Sequence, residues 1–212
     1  MFRDRVSAGR QLALALERFR GEDLLVLGIP RGGVLVAAEV AQALGARLDL
    51  IIPRKIGAPG NKEMAIGAVA GEGQVIINSG AVASLGVPEE YIDEQVKKAI
   101  DEIRRRRHLY VGDENTADVG NKIVLVVDDG LATGYTALAA IQVVRMLGPR
   151  LVVLAVPVAP SDTVARLKSL VDELVCLSMP EPFFAVGQFY SEFHQVTDEE
   201  VVSRLRELKA AS

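Results

Sequence analysis

This chain of 212 residues contains one cysteine, two histidines and no tryptophan. A single cysteine, Cys176, excludes a disulfide framework within the chain, and its apolar neighbours at 174–177 indicate a reduced core residue. Two histidines are too few for an imidazole-based metal centre. The composition therefore argues against a disulfide-stabilised fold and against a histidine-bound metal centre.

A basic excess and long apolar runs are also missing. The formal net charge is −4 and the isoelectric point is about 5.3, whereas a general nucleic-acid surface needs a clear excess of lysine and arginine. Residues 1–20 alternate charged and aliphatic side chains at helical spacing, so we expect no signal peptide or membrane span there. We expect a cytoplasmic protein whose ligands are neither membranes nor nucleic acids.

Three common motifs of nucleotide and ester chemistry are absent from the sequence. It has no GxxxxGK[ST] loop, no GxGxxG after its first strand pattern and no GxSxG segment. A P-loop hydrolase, a dinucleotide-binding domain and a serine hydrolase therefore lack their fingerprints here.

What the sequence does contain is an alternation of apolar strand patterns with helix patterns. Half of the residues are hydrophobic, which is enough for one good core in a chain of this length. The alternation predicts an α/β fold with a central parallel sheet flanked by helices on both faces. We expect a single domain over 1–212, with a core at about 20–180, a small hood or lid at about 180–195 and a C-terminal helix at about 198–210.

The most informative segment is an apolar run that leads into two carboxylates. Residues 123–127 predict a strand buried on both faces, and Asp128 and Asp129 follow at its carboxyl end, where open α/β sheets bind ligands. A Gly/Thr-rich turn, 130–136, precedes a helix predicted at 137–147, and such a helix start suits a phosphate. Two carboxylates beside a phosphate suit sugar hydroxyl groups or a divalent cation, so a sugar phosphate with Mg²⁺ meets every requirement.

A second candidate segment lies upstream and shows the same order of a buried strand, a turn and a helix. Residues 24–29 predict a buried strand, and Arg31, Gly32 and Gly33 follow it before a helix predicted at 34–44. The glycines let the backbone approach a bulky anion closely, and the arginine offers a planar fork of donors for phosphate oxygens. An ordinary structural turn is the alternative interpretation of this pattern.

A third candidate is a basic segment with several hinge residues. Residues 53–63 follow a strand predicted at 50–52, and we expect them to form a loop that closes over a polyphosphate through Arg54, Lys55 and Lys62. A solvated surface loop is the alternative. The strand patterns that would form a flexible hairpin beside this loop lie at 64–70 and 74–78.

Taken together, these motifs resemble those of the type I phosphoribosyltransferases. Four apolar residues, two acids and Gly-Leu-Ala-Thr-Gly-Tyr-Thr are similar to the segment by which that family binds phosphoribosyl pyrophosphate, and Pro-Arg-Gly-Gly resembles its pyrophosphate loop. The resemblance implies that Asp128 and Asp129 hold the ribose hydroxyl groups and, directly or through water, a Mg²⁺ ion. The residues that it assigns to the 5′-phosphate are Ala132, Thr133, Gly134, Tyr135 and Thr136.

The resemblance implies an enzyme that moves 5-phosphoribose from phosphoribosyl pyrophosphate to a nitrogenous base and releases pyrophosphate. Arg31, Arg54 and Lys55, with Mg²⁺, would offset the charge of the departing pyrophosphate. A non-catalytic protein that binds phosphoribosyl pyrophosphate as a sensor of nucleotide metabolism is the alternative. The habits of the family also imply a homodimer.

The sequence leaves the acceptor base open. Family members that use 6-oxopurines commonly carry an acid in the phosphate turn, where this chain has Ala132, and a lysine after the next strand, where it has Pro-Val-Ala-Pro at 157–160. Hypoxanthine and guanine are therefore disfavoured. An aromatic segment at 179–190 either stacks a flat base or packs on the core as a lid.

One basic cluster stands apart from these motifs. Arg104 to Arg107 lie near the end of a helix that opens at Pro88, so their charge suits the negative end of the helix dipole. A subunit contact and a regulatory nucleic-acid patch are the alternatives.

Overall fold

The structure of the protein, a computed structural model, describes residues 1–71, 73–113 and 116–210, and only the backbone of Lys62 and Glu63. The strands are β1 (Leu24–Gly28), β2 (Arg47–Leu50), β3 (Arg54–Ala58), β4 (Asn61–Ala70), β5 (Gln74–Ile77), β6 (Ile123–Val127), β7 (Leu151–Val158) and β8 (Glu173–Ser178). The α-helices are α1 (Arg5–Ala15), α2 (Gly32–Leu44), α3 (Ser79–Leu85), α4 (Glu89–Val111), α5 (Tyr135–Met146), α6 (Ser161–Lys168) and α7 (Asp198–Ala210).

A parallel sheet forms the centre of the molecule. Within the described residues it has five strands in the order β2-β1-β6-β7-β8. Strands β1 and β6 are direct neighbours, with Gly28 opposite Val127. The loops that leave these two strands therefore start side by side at the carboxyl edge of the sheet. The predicted fold class, a central parallel sheet flanked by helices, is confirmed.

Strand β6 shows why the sheet is covered on both faces. All of its residues are buried, and successive side chains of a strand point to opposite faces. Leu125 and Val127 pack with residues of α1 and α2 on one face. Val124 and Val126 pack with residues of α5 on the other. An apolar run without alternation is what such a position requires.

A second, antiparallel sheet of β3, β4 and β5 forms the hood. The sequence predicted a loop at 53–63, and this prediction was wrong, because most of that segment is a hairpin in which Ala58 pairs with Asn61. Pro59 and Gly60 make the turn, and the positive φ of 75° at Gly60 suits a glycine. Ile56 is buried in an apolar cluster. This packing stabilises the strands of the hood, although the basic residues of the segment obscure the apolar pattern in the sequence.

Several element boundaries differ from the predicted ones by a few residues. Strand β2 ends at Leu50, whereas the sequence predicted a strand at 50–52. Helix α5 begins at Tyr135, two residues before the predicted start, because Gly134 adopts a left-handed conformation with φ of 69° and closes the turn early. Helix α2 begins at Gly32, inside the Pro-Arg-Gly-Gly turn. The two candidate anion-binding turns are therefore tighter than the sequence indicated.

The arginine run of α4 has a structural use that the sequence did not indicate. Arg107 donates to both carboxylate oxygens of Asp49, at 2.9 and 3.2 Å. Asp49 is buried and also accepts from the backbone N–H groups of Leu50 and Ala117. Arg105 pairs with Glu102 on the surface of the same helix. The innermost arginine of the run therefore ties α4 to the end of β2.

The N-terminus of the chain packs against the segment that precedes α7. Phe2 forms a β-bridge with Tyr190, and their rings lie 5.5 Å apart. Residues 180–195, for which the sequence predicted a hood, contain a short 3-10 helix, Val186–Phe189, and the division of the chain into core and lid stays a prediction. Of the helices described, none combines the length and the apolar character that crossing a membrane requires.

Candidate active site

The acid pair and the Pro-Arg-Gly-Gly turn lie together at the carboxyl edge of the central sheet. The N–H of Ile29 donates to the carbonyl of Val127 at 2.9 Å, which carries the pairing of β1 and β6 one residue beyond β1. Asp128 and Asp129 therefore leave the sheet directly beside Arg31, Gly32 and Gly33. The structure brings together two groups that stand about one hundred residues apart in the sequence.

The two glycines of the turn make room for the acid pair. A Cβ carbon at Gly33 would lie 2.8 Å from Oδ1 of Asp128, and one at Gly32 would overlap Oδ2 of Asp129. Side chains do not tolerate such distances, so glycine is required at both positions. The sequence suggested that these glycines admit a bulky anion, whereas the structure shows that their close neighbours are the two carboxylates.

Asp129 is held by an arginine that the sequence did not single out. Nε of Arg5, the first residue of α1, donates to Oδ2 of Asp129 at 2.7 Å, and the Arg5 side chain is only 7% exposed. At the other end of Asp129, the hydroxyl of Tyr190 donates to the carbonyl oxygen at 2.5 Å. Burial raises the pKa of Tyr190, so this hydroxyl stays protonated. No sequence signal marks Arg5, because it resembles any charged residue of an amphipathic helix.

Asp128 is in a different electrostatic position. Its Oδ1 accepts the backbone N–H of Asp129 at 2.8 Å. Burial, and then the negative charge of Asp129, raise the pKa of Asp128 well above its ordinary value. The guanidinium of Arg5 beside Asp129 offsets only part of the repulsion between the two carboxylates, since the pKa of Asp128 remains raised. The pair is therefore suited to a divalent cation or to hydroxyl groups that donate to its oxygens.

The phosphate turn is held by helix α6. The hydroxyl of Thr163 donates to the carbonyl of Ala132 at 2.9 Å, and Arg166 donates to the carbonyl of Thr133. A Cβ carbon at Gly134 would lie 2.8 Å from Thr163 Cγ2, so α6 leaves space for glycine alone. These contacts direct the carbonyls of the turn towards α6.

The start of α5 presents an exposed surface suited to an anion. Thr133, Tyr135 and Thr136 are exposed. The first N–H groups of a helix have no acceptor within the helix and attract negative charge. The turn therefore keeps the features from which the sequence predicted a seat for a phosphate.

A cavity of about 800 Å³ lies between the hood and the phosphate turn. Arg54 and Lys55 of β3 line it from the hood, and Thr133 and Thr136 line it from the turn. Tyr91 of α4 also lines this hood cavity, and its hydroxyl donates to the carbonyl of Gly57 at 3.0 Å. The structure thus places both predicted cations opposite the predicted phosphate seat. The side chain of Lys62, the third predicted cation, lies outside the described residues.

Arg31 faces a second cavity, of about 360 Å³, which it shares with Arg5, Gly32 and residues 193–196. Its Nη1 lies 3.9 Å from Oδ1 of Asp198, a weak ion pair that leaves the guanidinium partly exposed. Oδ1 of Asp198 also accepts the hydroxyl of Tyr110 at 2.7 Å. We call this space the Arg31 cavity.

The aromatic segment at 179–190 packs largely on itself and on the N-terminus. The rings of Phe183 and Phe189 lie 4.9 Å apart, and Tyr190 is buried in a cluster with Phe2. Phe184, by contrast, is 79% exposed. The ring that lines the Arg31 cavity belongs to Phe193, just beyond the segment that the sequence singled out.

The donors for a metal ion are few. Among the described residues, no group of three or more His, Cys, Asp or Glu side chains is arranged to hold a metal ion. The two carboxylates of Asp128 and Asp129 fit Mg²⁺, which commonly binds one or two carboxylates and completes its shell with water and substrate phosphates. Burial raises the pKa of Asp128 most, and repulsion from Asp129 raises it further. A cation would relieve that repulsion.

Comparison with known proteins agrees with this geometry. A family model described as "Phosphoribosyl transferase domain" matches residues 7–193. A Mycobacterium tuberculosis (strain H37Rv) protein named "Putative phosphoribosyl transferase Rv0571c" is 44% identical over 205 residues, which are 97% of this chain and 46% of that protein. The chain thus spans about half the length of the curated relatives it matches.

A solved structure extends the likeness to three dimensions. The crystal structure of TT1426 from Thermus thermophilus superposes with a TM-score of 0.88 at 44% sequence identity, and the match covers 98% of each chain. The fold, the motifs at the carboxyl edge of the sheet and the family match over most of the chain agree. This chain therefore belongs to the phosphoribosyl transferase domain family.

Proposed function

We propose that this domain transfers 5-phosphoribose from phosphoribosyl pyrophosphate to a nitrogenous base and releases pyrophosphate. The observation that carries the proposal is the order of groups along one edge of the sheet. The acid pair Asp128 and Asp129 stands between the phosphate turn on one side and Arg31 with its two glycines on the other. Phosphoribosyl pyrophosphate has the same order, because its ribose lies between a 5′-phosphate and a pyrophosphate.

Each group has a role in this reaction. The phosphate turn and the start of α5 hold the 5′-phosphate, and the acid pair holds the ribose hydroxyl groups while positive charge develops at C1′. Arg31 binds the pyrophosphate from the side of the central sheet. Arg54 and Lys55 approach the ligand from the hood. Charge that is placed before the reaction commonly supplies the largest part of catalysis.

We propose Mg²⁺ as the cofactor, held by Asp128 and Asp129 directly or through water. When bound, Mg²⁺ would neutralise charge on the pyrophosphate as it leaves. The carboxylates would then orient the ribose between the phosphate turn and Arg31. The protein needs no covalent intermediate for this transfer.

The acceptor is proposed only as a nitrogenous base. Ala132 stands where 6-oxopurine enzymes of the resembled family carry an acid, which disfavours hypoxanthine and guanine. We also propose that the protein acts in the cytoplasm as a homodimer. Light scattering after size-exclusion chromatography would test the second point, since a mass near twice 22.8 kDa is expected.

A sensor of phosphoribosyl pyrophosphate is the competing function, and the hood favours the enzyme. Arg54 and Lys55 of the hairpin line the hood cavity, and closure of this hairpin over bound ligand would exclude water from the reacting carbon, which a transferase needs and a sensor does not. Binding of phosphoribosyl pyrophosphate without turnover would support the sensor.

The decisive experiment measures pyrophosphate release from phosphoribosyl pyrophosphate with MgCl₂. Each common purine and pyrimidine base is added separately, and a reaction without base is the control. Release that depends on one base would establish the transferase and identify its acceptor. The variant Asp128→Asn/Asp129→Asn should abolish ligand binding and leave the fold intact. Unchanged affinity in that variant would contradict the site assignment.

A further inference from the structure

We infer that Arg5 is a positioning residue for the reaction, since it fixes the carboxylate of Asp129 through a directed hydrogen bond. The inference rests on the proposed function, because it concerns the orientation of the same acid pair. It adds a residue from the first turn of α1, far from every motif that marks the family in this sequence.

The guanidinium of Arg5 is held by three contacts at once. Nε donates to Asp129 at 2.7 Å, and Nη1 donates to the carbonyl of His194 at 3.0 Å. The guanidinium carbon lies 3.9 Å from the centre of the Phe193 ring, a cation–π distance. A planar group with two directed donors and one stacked face has little freedom to turn. Arg5 therefore holds the Asp129 carboxylate in one orientation.

The turn after β1 is shaped around this ion pair. A Cβ carbon at Gly32 would overlap Asp129 Oδ2 and lie 2.9 Å from Nε of Arg5. The pair therefore crosses the turn at a position where the chain has no side chain. An arginine that served only to attach α1 to the core would not need this space in the turn that we propose binds pyrophosphate.

The backbone of Asp129 is fixed as well. Tyr190 donates its hydroxyl to the Asp129 carbonyl, and the segment that carries Tyr190 is bonded to the N-terminus through Phe2. The N-terminal helix and the segment at 190–194 thus hold the same residue at two points. Asp128, in contrast, takes its hydrogen bond from the adjacent N–H of Asp129. Other segments therefore hold Asp129 in place, and Asp129 in turn orients Asp128 through its backbone N–H.

A second ion pair of α1 provides a comparison. Nε of Arg10 donates to Glu39 at 3.0 Å, so it joins the same helix to α2. Arg204 pairs with the other oxygen of Glu39. Arg10 is absent from the linings of the hood cavity and the Arg31 cavity. Its Nε also donates to a carboxylate of another element, but the Arg10 side chain is 71% exposed and has no connection to the acid pair.

The test compares Arg5→Lys with the matched control Arg10→Lys. Lysine keeps the positive charge and loses the planar fork and the stacked face. Binding of ribose 5-phosphate and of inorganic pyrophosphate, each with MgCl₂, is measured by calorimetry. We expect Arg5→Lys to weaken ribose 5-phosphate binding about tenfold, the scale of one directed charged hydrogen bond. Pyrophosphate binding should weaken by a smaller factor, although Arg5 also lines the Arg31 cavity. Arg10→Lys should change neither.

The outcomes separate this inference from the proposed function. If the wild-type protein binds neither ligand, the proposed function fails and the inference fails with it. If the wild-type protein binds both and Arg5→Lys binds them equally well, or loses both to the same degree, only the positioning role is overturned.

A variant that leaves the ion pair intact covers the case in which Arg5→Lys does not fold. Phe193→Leu removes the ring that stacks on the guanidinium and keeps both hydrogen bonds of Arg5. We expect it to weaken ribose 5-phosphate binding about threefold, in line with one partly buried cation–π contact. Pyrophosphate binding should change by a smaller factor. An unchanged affinity for ribose 5-phosphate in a folded Phe193→Leu protein would overturn the inference.

Discussion

A Cβ carbon at Gly33 would lie 2.8 Å from both Cα and Oδ1 of Asp128. The turn after β1 therefore packs directly on Asp128, the first residue after β6. The strand patterns in the sequence do not indicate this contact. The turn that carries Arg31 and the carboxylate that follows β6 must move together. A substitution at Gly33 should displace the acid pair more than it disturbs the packing of the core.

Gly33→Ala tests that contact. We expect a loss of about 1–3 kcal/mol in the free energy of unfolding, as is usual for overpacking, and a weaker affinity for ribose 5-phosphate. Gly80→Ala is the matched control, because Gly80 lies in helix α3 and a Cβ there would meet only Asn78 Oδ1 at 3.5 Å. Urea denaturation and calorimetry measure both effects. Equal stabilities for the two variants would contradict the close packing at Gly33.

Asp128→Asn should stabilise the protein at neutral pH in the absence of Mg²⁺. The pKa of Asp128 is raised in the folded state, so the folded protein keeps a proton that the unfolded chain has released. Wild-type stability therefore falls as pH rises from the ordinary aspartate value through the raised pKa, and asparagine removes this dependence.

Thermal unfolding from pH 4 to pH 8 measures this effect. The difference in Tm between Asp128→Asn and the wild type should be small at the acidic end and grow with pH, by about 2–4 °C for each kcal/mol in a protein of this size. Asp118→Asn, at an exposed aspartate, is the control. A difference that stays constant or shrinks with rising pH would refute the electrostatic interpretation.

Removal of the hood cations should weaken substrate binding without unfolding the protein. Arg54→Ala/Lys55→Ala is expected to raise the KM for phosphoribosyl pyrophosphate about tenfold or more, because a hydrogen bond between charged groups contributes about 1.5–3 kcal/mol. Lys97→Ala/Lys98→Ala removes the same charge from exposed positions of α4 and should leave the KM within about twofold. Steady-state kinetics at two salt concentrations measure both. Equal effects would show that only net charge matters.

Arg107→Met should destabilise the fold severely. It leaves Asp49 buried with no cation, and the removal of one partner of a buried ion pair costs about 3–5 kcal/mol. Arg105→Met breaks only the surface pair with Glu102 and should change the free energy of unfolding by less than about 1 kcal/mol. Guanidinium denaturation compares them. Similar losses for the two variants would show that the contact with Asp49 adds no special stability.

The elements that could be predicted from sequence are those whose pattern is local. Strand β6 and the acids after it were predictable because a continuous apolar run marks a strand covered on both faces. The hairpin of β3 and β4 was not, because its buried residues Ile56 and Ala58 alternate with basic and small residues in a segment rich in proline and glycine. Antiparallel pairing with β4 decides that structure, and pairing is not visible in a single segment.

The same division holds for the candidate site. The sequence by itself determined which residues are candidates for the chemistry, since Asp128, Asp129 and the turn that follows them are contiguous. Only the tertiary structure decided how the acids are held. Arg5 lies 124 positions from Asp129 in the chain, and the parallel pairing of β1 with β6 brings Gly32 and Gly33 against the acids. Contacts between distant segments depend on how strands and helices pack, and the spacing of residues within one segment does not encode them.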